Sequence, residues 1–399
     1  MRRRGVRAFP VAAFVVTGCL NPPTLRTATT TDSAGVTLVD NRTALDGATP
    51  RYSIDSVPLV DIGSGTDPHH EFPPTIAVAR LRSGQIVVAA GTELRWFDPV
   101  GRWVRSVGRN GSGPGEFRQI DLLALFGDSV LVFDLALRRA SVFDSAGNYG
   151  RGTTIVDSDT LGQTFPVGVL SDGRLVLASS QWPSATGLRR DSVTIRIGSP
   201  NGVVQSLIGR FPYVDQLLEA GPRGVSMGRV AFGRLSYWGT SDSSVLVASN
   251  EQFRFDWYGA EGEHQRAVRR QWTPVPVTVE AVTAQIDEWL TGFPAGMEQR
   301  KAQARAEWAA APRLEAKPPY GPVLVSATGE VWVQEYGEPG QRSRPAVFSV
   351  FDRSGQWLCQ ITLPSGVEPK VIGTDHIVAT WLDQDDATHL RIYAMKRSR

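Results

Sequence analysis

The chain is poor in the features that usually announce a catalytic or membrane-spanning protein. Two cysteines in 399 residues, Cys19 and Cys359, provide no disulfide framework and no cysteine-rich zinc domain. The five histidines are scattered. His69 and His70 are neighbours on a turn-like stretch, and His264, His376 and His389 lie far apart in sequence, whereas a histidine pair that shares a metal needs a spacing that converges both rings. No apolar run approaches the roughly 20 residues that a membrane-spanning helix requires. We recognise no nucleophile elbow of the strand–turn–helix kind, and serine, histidine and aspartate are too dispersed to nominate a triad. Charge is balanced, with 42 basic and 40 acidic residues. No lysine–arginine stripe or tail is present, which argues against a nucleic-acid partner.

What is present begins at the N-terminus. Arg2, Arg3, Arg4 and Arg7 precede an apolar run from Ala8 to Val16 and the small residues Thr17 and Gly18, the pattern of a secretory signal over residues 1–18. Removing those four arginines takes the basic total below the acidic one, so the excess positive charge belongs to the leader. Val16-Thr17-Gly18-Cys19 resembles the lipobox of bacterial lipoproteins. That resemblance implies acylation of Cys19 and a membrane partner reached through it, and Leu20 after the cysteine resembles outer-membrane retention. Several acyl chains, at about 0.8 kcal/mol per buried methylene, would anchor stably. Residues 19–34, rich in Pro, Thr, Ser and Asp, are expected to form a flexible tether. Cys359, within the strand-like WLCQITL, is expected to be buried and inert.

From residue 35 to 399 the sequence repeats. Ile62–Phe72 (IGSGTDPHHEF) aligns with Val107–Phe117 (VGRNGSGPGEF), and Gly84–Trp103 aligns with Asp128–Tyr149, at a period of about 45 residues, in the range of propeller repeats. Looser copies follow. Each unit reads as four short strands with Asp/Gly turns such as DPVG, DSAG and DRSG. First strands are expected near Thr75, Leu122, Val167, Leu235, Val323 and Val371. The last unit lacks a fourth strand, which Arg51–Val60 can supply from the N-terminal side. Gly35–Asn41 has no evident place. The glycine-rich GRNGSGPGEF is followed by strand residues and contains no lysine, so it reads as a joint between units and not as a phosphate loop. Phe72 and Phe117 are expected to fill the space between units.

The pattern G-x-G-P-G-E-F, strand, turn, strand, V-F-D-x-x-G resembles the NHL-type repeats of six-bladed β-propellers. Together with the lipobox, and with Lys317–Val333, it resembles the six-bladed propeller lipoproteins of bacterial envelopes. The implied fold is all-β: a six-bladed propeller of four-stranded blades, with a helical insertion between blades four and five.

Propeller strand order puts the joints and the second-to-third-strand loops on one face. The long segments all fall there: Ser180–Asp191, Gly209–Gly233, Tyr336–Pro345, Asp383–Thr388 and the insert at about 274–322. The insert reads as two helices. Val279, Val282, Ile286 and Leu290 recur at helical spacing after a Thr278 cap, Gly292-Phe293-Pro294 breaks the pattern, and Met297–Ala311 forms the second helix. Arg118, Arg138, Arg139 and Trp182 fall on the same face and are candidate binding residues, since arginine and tryptophan dominate binding hot spots. The leading reading is a membrane-anchored module that binds an envelope protein or glycan through this face. The alternative is a metal-dependent hydrolase or lyase, resembling lactonase propellers, with calcium held by carboxylates and carbonyls in the central channel. No metal ligand and no catalytic residue is nominated for it.

Overall fold

A computed structural model describes residues 28–45, 51–63, 67–73, 76–155, 162–181, 186–221, 224–228, 230–338 and 344–398. The signal region, Cys19 and Trp182 lie outside the described residues. The architecture is mostly β, built from sheets that are antiparallel but for one parallel pair and of which three have four strands, and it is propeller-like. The described strands form six sheets whose inner strands are Ala77–Arg80, Ile120–Phe126, Gly162–Val169, Tyr237–Ser241, Tyr320–Val325 and Glu368–Ile372. Each lies at or beside the position read from the repeat.

The strands form where Val, Ile, Phe and Trp run between turns that the local chemistry enforces. In the DPVG turn the Asp98 carboxylate accepts from the amides of Val100 (3.0 Å) and Arg102 (2.8 Å), while Gly101 holds φ +87°. Asp352 accepts in the same way from Gln356, with Gly355 at φ +90°. An L side chain rarely adopts that conformation, which is why the fourth position of these turns is glycine.

One sheet cannot bury both faces by itself, and the cores lie between sheets. Six hydrophobic clusters each join two neighbouring sheets: first with second, second with third, and onward until the sixth packs on the first through Val378, Leu390, Ile86 and Val88. The inner strands neighbour one another in the same cyclic order. Phe117 is fully buried in the first of these cores, and Phe72 packs at 6.0 Å from Phe97 in the last. Cys359 is buried and forms no disulfide among the described residues.

The sixth sheet receives Arg51–Ile54 and Val60–Ile62, both antiparallel to the C-terminal strand Thr388–Ser398. The segment without an evident place in the sequence is also ordered. Val36–Asn41 pairs parallel to His264–Arg270 on the outside of the fourth sheet, and Ala28–Ser33 folds back on it. Residues 28–33 of the expected tether are therefore a strand. A second departure concerns the third sheet. The stretch read as a long loop over Gly209–Gly233 is largely the strands Val204–Gly221 and Gly224–Gly228, and Gly187–Gly198 runs beside the first of these. The sequence there lacks alternation because the ribbon projects beyond the body, where only scattered positions are buried.

Candidate functional site

The joints end on one face, and two arginines hold them. Arg139 donates Nη1 to the Ser112 carbonyl (2.8 Å) and Nη2 to Gly113 (3.0 Å) and Glu116. Arg95, its repeat-mate, donates Nη1 to the carbonyls of Pro68 (3.3 Å), His69 (2.9 Å) and Glu71 (2.6 Å). Within the second joint the Glu116 carboxylate accepts from the Gly113 amide and then from Arg109 Nε (2.7 Å), contacts that hold it below the usual carboxylate range. Gly108 sits at φ +93°, and a Cβ there would lie 2.8 Å from the Phe117 ring. The glycine-rich loop thus folds around its own glutamate, a guanidinium and a buried phenyl ring, which makes it a joint. Arg139→Ala would remove the charged donor shared by the Ser112, Gly113 and Glu116 carbonyls, leaving Gly113 with only the Glu116 amide, and should cost about 1.5–3 kcal/mol. The loss should show in thermal unfolding and as faster amide exchange over Gly111–Phe117.

Arg139, nominated as a binding residue, is accordingly occupied by its own joint. Arg118 is exposed, and its amide and that of Gln119 are held by the buried Asp134 carboxylate (2.6 and 3.2 Å). Arg138 is half-buried at φ +50°, with an Nη2 that is buried and unpartnered. His69 lies in a short 3₁₀ turn, bonded to Asp67 through Nδ1 (2.8 Å) and stacked on Trp103 at 3.9 Å. The spacing Gly224-Val-Ser-Met-Gly228, which sequence reasoning passed over, has the composition of a nucleophile elbow. It is an exposed antiparallel strand with Ser226 Oγ near the Glu219 carbonyl, so the strand–turn–helix setting that activates such a serine is missing.

Sequence reasoning missed the groups at the mouth of the ring. Asp134 pairs with Ile120 and Phe133 with Leu122, so Asp121 is the extra residue of a β-bulge at the joint-face end of its inner strand. Its carboxylate is exposed, yet the bulk of surrounding protein raises its pKa, the combination expected in a concave, water-filled opening. Burial also raises Tyr213, and the Asp121 charge adds to this. Tyr237, the first residue of the fourth inner strand, is pushed up to about 12 by burial alone. None of these three side chains has a hydrogen-bond partner among the described residues.

Beside them lies a network of ion-paired charges, in which the buried Arg190 Nε and Nη1 stand at ion-pair distance without a hydrogen bond. Asp215 is held bidentate by Arg234 (2.8 and 3.1 Å), Arg190 stands 3.7 Å from it, and Glu251 approaches both arginines (3.3 and 3.6 Å). The bulge and the charged network carry no periodic signature. Only the register and the fold bring their members together.

The insert is helical where expected: α1 spans Val279–Thr291 and α2 spans Glu298–Ala310, and the Thr278 hydroxyl caps α1 by accepting from the Ala281 amide. Val282, Ile286 and Leu290 of α1 and Ala304 of α2 pack on Ala231 and Phe232, with Tyr336 alongside, and Gln285 accepts from the Phe232 amide (3.0 Å). Lys317 at the base of the insert is clamped by Glu338 (2.6 and 2.8 Å). The hairpin is seated on the joint face by its apolar stripe. Deleting residues 278–311 should therefore expose that cluster and lead to aggregation or a large loss of thermal stability, measurable by light scattering during a melt.

Among the described residues, no group of three or more His, Cys, Asp or Glu side chains is placed to hold a metal ion.

No family model matches the chain, and no curated protein does. Solved structures are similar in fold. A member of the DUF4221 family from Bacteroides vulgatus aligns at TM-score 0.50 and 9% identity, covering 87% of this chain and 99% of its own. A gluconolactonase from Xanthomonas campestris aligns at TM-score 0.40 and 10% identity, covering 96% and 100%. The calcium-binding protein regucalcin from Agrobacterium tumefaciens aligns at 0.37 and 12%, covering 85% and 92%. At these identities the likeness is one of fold alone.

Proposed function

We propose that the chain is an exported, closed six-bladed β-propeller with α1–α2 inserted between blades four and five, tied to the outer membrane by acylation of Cys19. On this reading it acts as a binding or scaffold module for an envelope protein or glycan through its joint face. The observation that carries the binding reading is the mouth itself. Asp121, Tyr213 and Tyr237 are raised in pKa by surrounding protein and have no partner among the described residues, while the neighbouring arginines and carboxylates are paired.

The test is in-membrane cross-linking of the full chain beside a variant carrying Asp121→Asn, Tyr213→Phe and Tyr237→Phe. A partner or glycan captured by the wild type and lost by an equally stable variant supports the reading. Capture that is indifferent to the three substitutions rejects it.

The mouth also predicts a pH signature. Because the folded pKa of Asp121 is raised above its ordinary 3.8, the folded state binds more protons than the unfolded one. Its contribution is neutral below the unfolded value and becomes a cost as pH rises through the folded pKa. Asp121→Asn should therefore raise Tm at pH 7, and the gain should disappear as the pH is lowered past that window.

A further inference from the structure

We propose that the gap between the sixth and first sheets, at the end of the fold away from the joint face, binds a phosphate group: Arg80 holds its anionic oxygens and His376 accepts from its hydroxyl. This site is separate from the mouth and does not rest on the binding reading given for it. The register brings the two residues together. Val78 and Val378 meet in the core between these sheets, and Arg80 and His376 each lie two positions nearer the turns at 81–84 and 373–375. Side chains two apart on a strand share a face, so both point into the same gap. Arg80 is a half-buried cation whose Nε is buried and unbonded, and its guanidinium makes no hydrogen bond or ion pair among the described residues. Its Nη2 lies beside Gly84, where an added Cβ would stand 3.8 Å away. A free guanidinium offers a fork of donors that matches two oxygens of a phosphate.

His376 supplies the complementary group. Its Nδ1 stands 2.8 Å from Asp375 Oδ1. Burial, and then the charge of Arg80, hold the ring below the usual histidine pKa in spite of that bond. The Asp375 carboxylate is held below its own ordinary range, first by the bond from His376. Near neutral pH the ring therefore keeps one proton, on Nδ1 facing the carboxylate, and Nε2 is a bare acceptor. Nε2 reaches solvent and has no partner among the described residues. Gly373 leaves it room, since a Cβ there would fall 2.5 Å from Nε2. A donor fork beside an acceptor discriminates between anions. Sulfate or a carboxylate can fill the fork but sets an oxygen lone pair against Nε2. Hydrogen phosphate, or the monoanion of a phosphate monoester, brings anionic oxygens for Arg80 and a hydroxyl for Nε2. The Asp375 charge is engaged on the other, Nδ1 side of the ring.

The test titrates the full chain at pH 7 and constant ionic strength with inorganic phosphate, sulfate and glycerol 3-phosphate. Binding is read by calorimetry and by the imidazole nitrogen–proton correlations of the five histidines. The expected result is saturable phosphate binding that moves the His376 resonances, with sulfate about tenfold weaker, the scale of one buried acceptor left without its donor. Arg80→Gln should weaken both anions by about tenfold or more, the loss of a charged donor. His376→Phe, and Gly373→Ala with Arg80 intact, should reduce phosphate to the level of sulfate. Glycerol 3-phosphate binding as tightly as phosphate makes a phosphate monoester the ligand, and its exclusion makes the ligand the free ion. The proposal is overturned if His376 does not respond to phosphate, if sulfate binds equally well, or if a folded Arg80→Gln variant binds as the wild type does. Should Arg80→Gln fail to fold, the contrast between phosphate and sulfate at His376 of the wild type still decides.

Discussion

Replacing Glu330 by alanine should destabilise the protein by about 3–5 kcal/mol, the cost of removing one partner from a buried charge pair. That is a large share of the roughly 5–15 kcal/mol by which folded proteins are stable. Glu330 is 8% exposed and lies at the turn between the first two strands of the fifth sheet. Its Oε1 accepts from the hydroxyl of Tyr52 (2.6 Å), which is 1% exposed, and its Oε2 accepts from Arg397 Nη2 (2.9 Å). Arg397 also donates to Thr328 Oγ1 (2.8 Å), and Tyr52 stands edge-on to Trp332 at 5.7 Å. Tyr52 comes from the N-terminal strand of the sixth sheet and Arg397 from its C-terminal strand, so one carboxylate ties both chain ends to the preceding sheet. Burial, and then the bond to Glu330, push the Tyr52 hydroxyl well above its ordinary pKa, so it remains a donor at any pH the protein meets. Glu330→Gln keeps an acceptor for Tyr52 and loses the charge opposite Arg397, and should fall between wild type and alanine. Urea unfolding followed by tryptophan fluorescence reads the difference. A loss below about 1 kcal/mol for the alanine variant, the scale of an exposed pair, would mean that the network contributes no more than a surface contact.

The second large effect is expected at Arg270→Ala, again about 3–5 kcal/mol. Arg270 closes the gap between the fourth and fifth sheets. It binds Glu335 through both Nη atoms, with Nη2–Oε2 at 2.9 Å, and donates to Ser349 Oγ (2.6 Å). Its guanidinium lies 3.8 Å from the centre of the Phe253 ring and 4.7 Å from that of Trp357. With a side chain only 9% exposed, the substitution both opens space between the rings and leaves the Glu335 charge without its cation. Arg270→Lys is not conservative here, because an ammonium can neither bind two carboxylate oxygens in the plane nor stack between two rings. The double variant Arg270→Met/Glu335→Leu, which removes both charges and keeps volume, should recover much of the loss. Equal destabilisation of the single and double variants would place the effect in packing and not in the pair.

Much of this architecture is legible in the amino-acid order, and the reason is local. Burial in a half-covered strand alternates and burial on a helix recurs every third or fourth residue, so Arg254–Gly259 and α1 announce themselves by spacing, and Ile86–Ala90, buried throughout, by an unbroken apolar run. The Asp and Gly of the turns, and Thr278 at the helix start, are dictated by hydrogen bonds within a few residues. Even the closing strand could be placed, since a unit one strand short needs a partner. Pairing across long loops leaves no such trace. Val36–Asn41 joins a strand some 230 residues away in a parallel register that no period specifies, and Val204–Gly221 is extended through its neighbours and not through its own pattern. Side-chain destinations are equally non-local. Arg139 looked available for a ligand until the fold brought three carbonyls of its joint within reach, while Asp121, unremarkable in sequence, was left open by a one-residue bulge. The sequence by itself determined the repeat, the strands, the turns and the helical insert, because each depends on neighbours along the chain. The tertiary structure alone decided which polar groups satisfy one another and which stay open at the mouth, because that depends on distances between residues that the chain holds far apart.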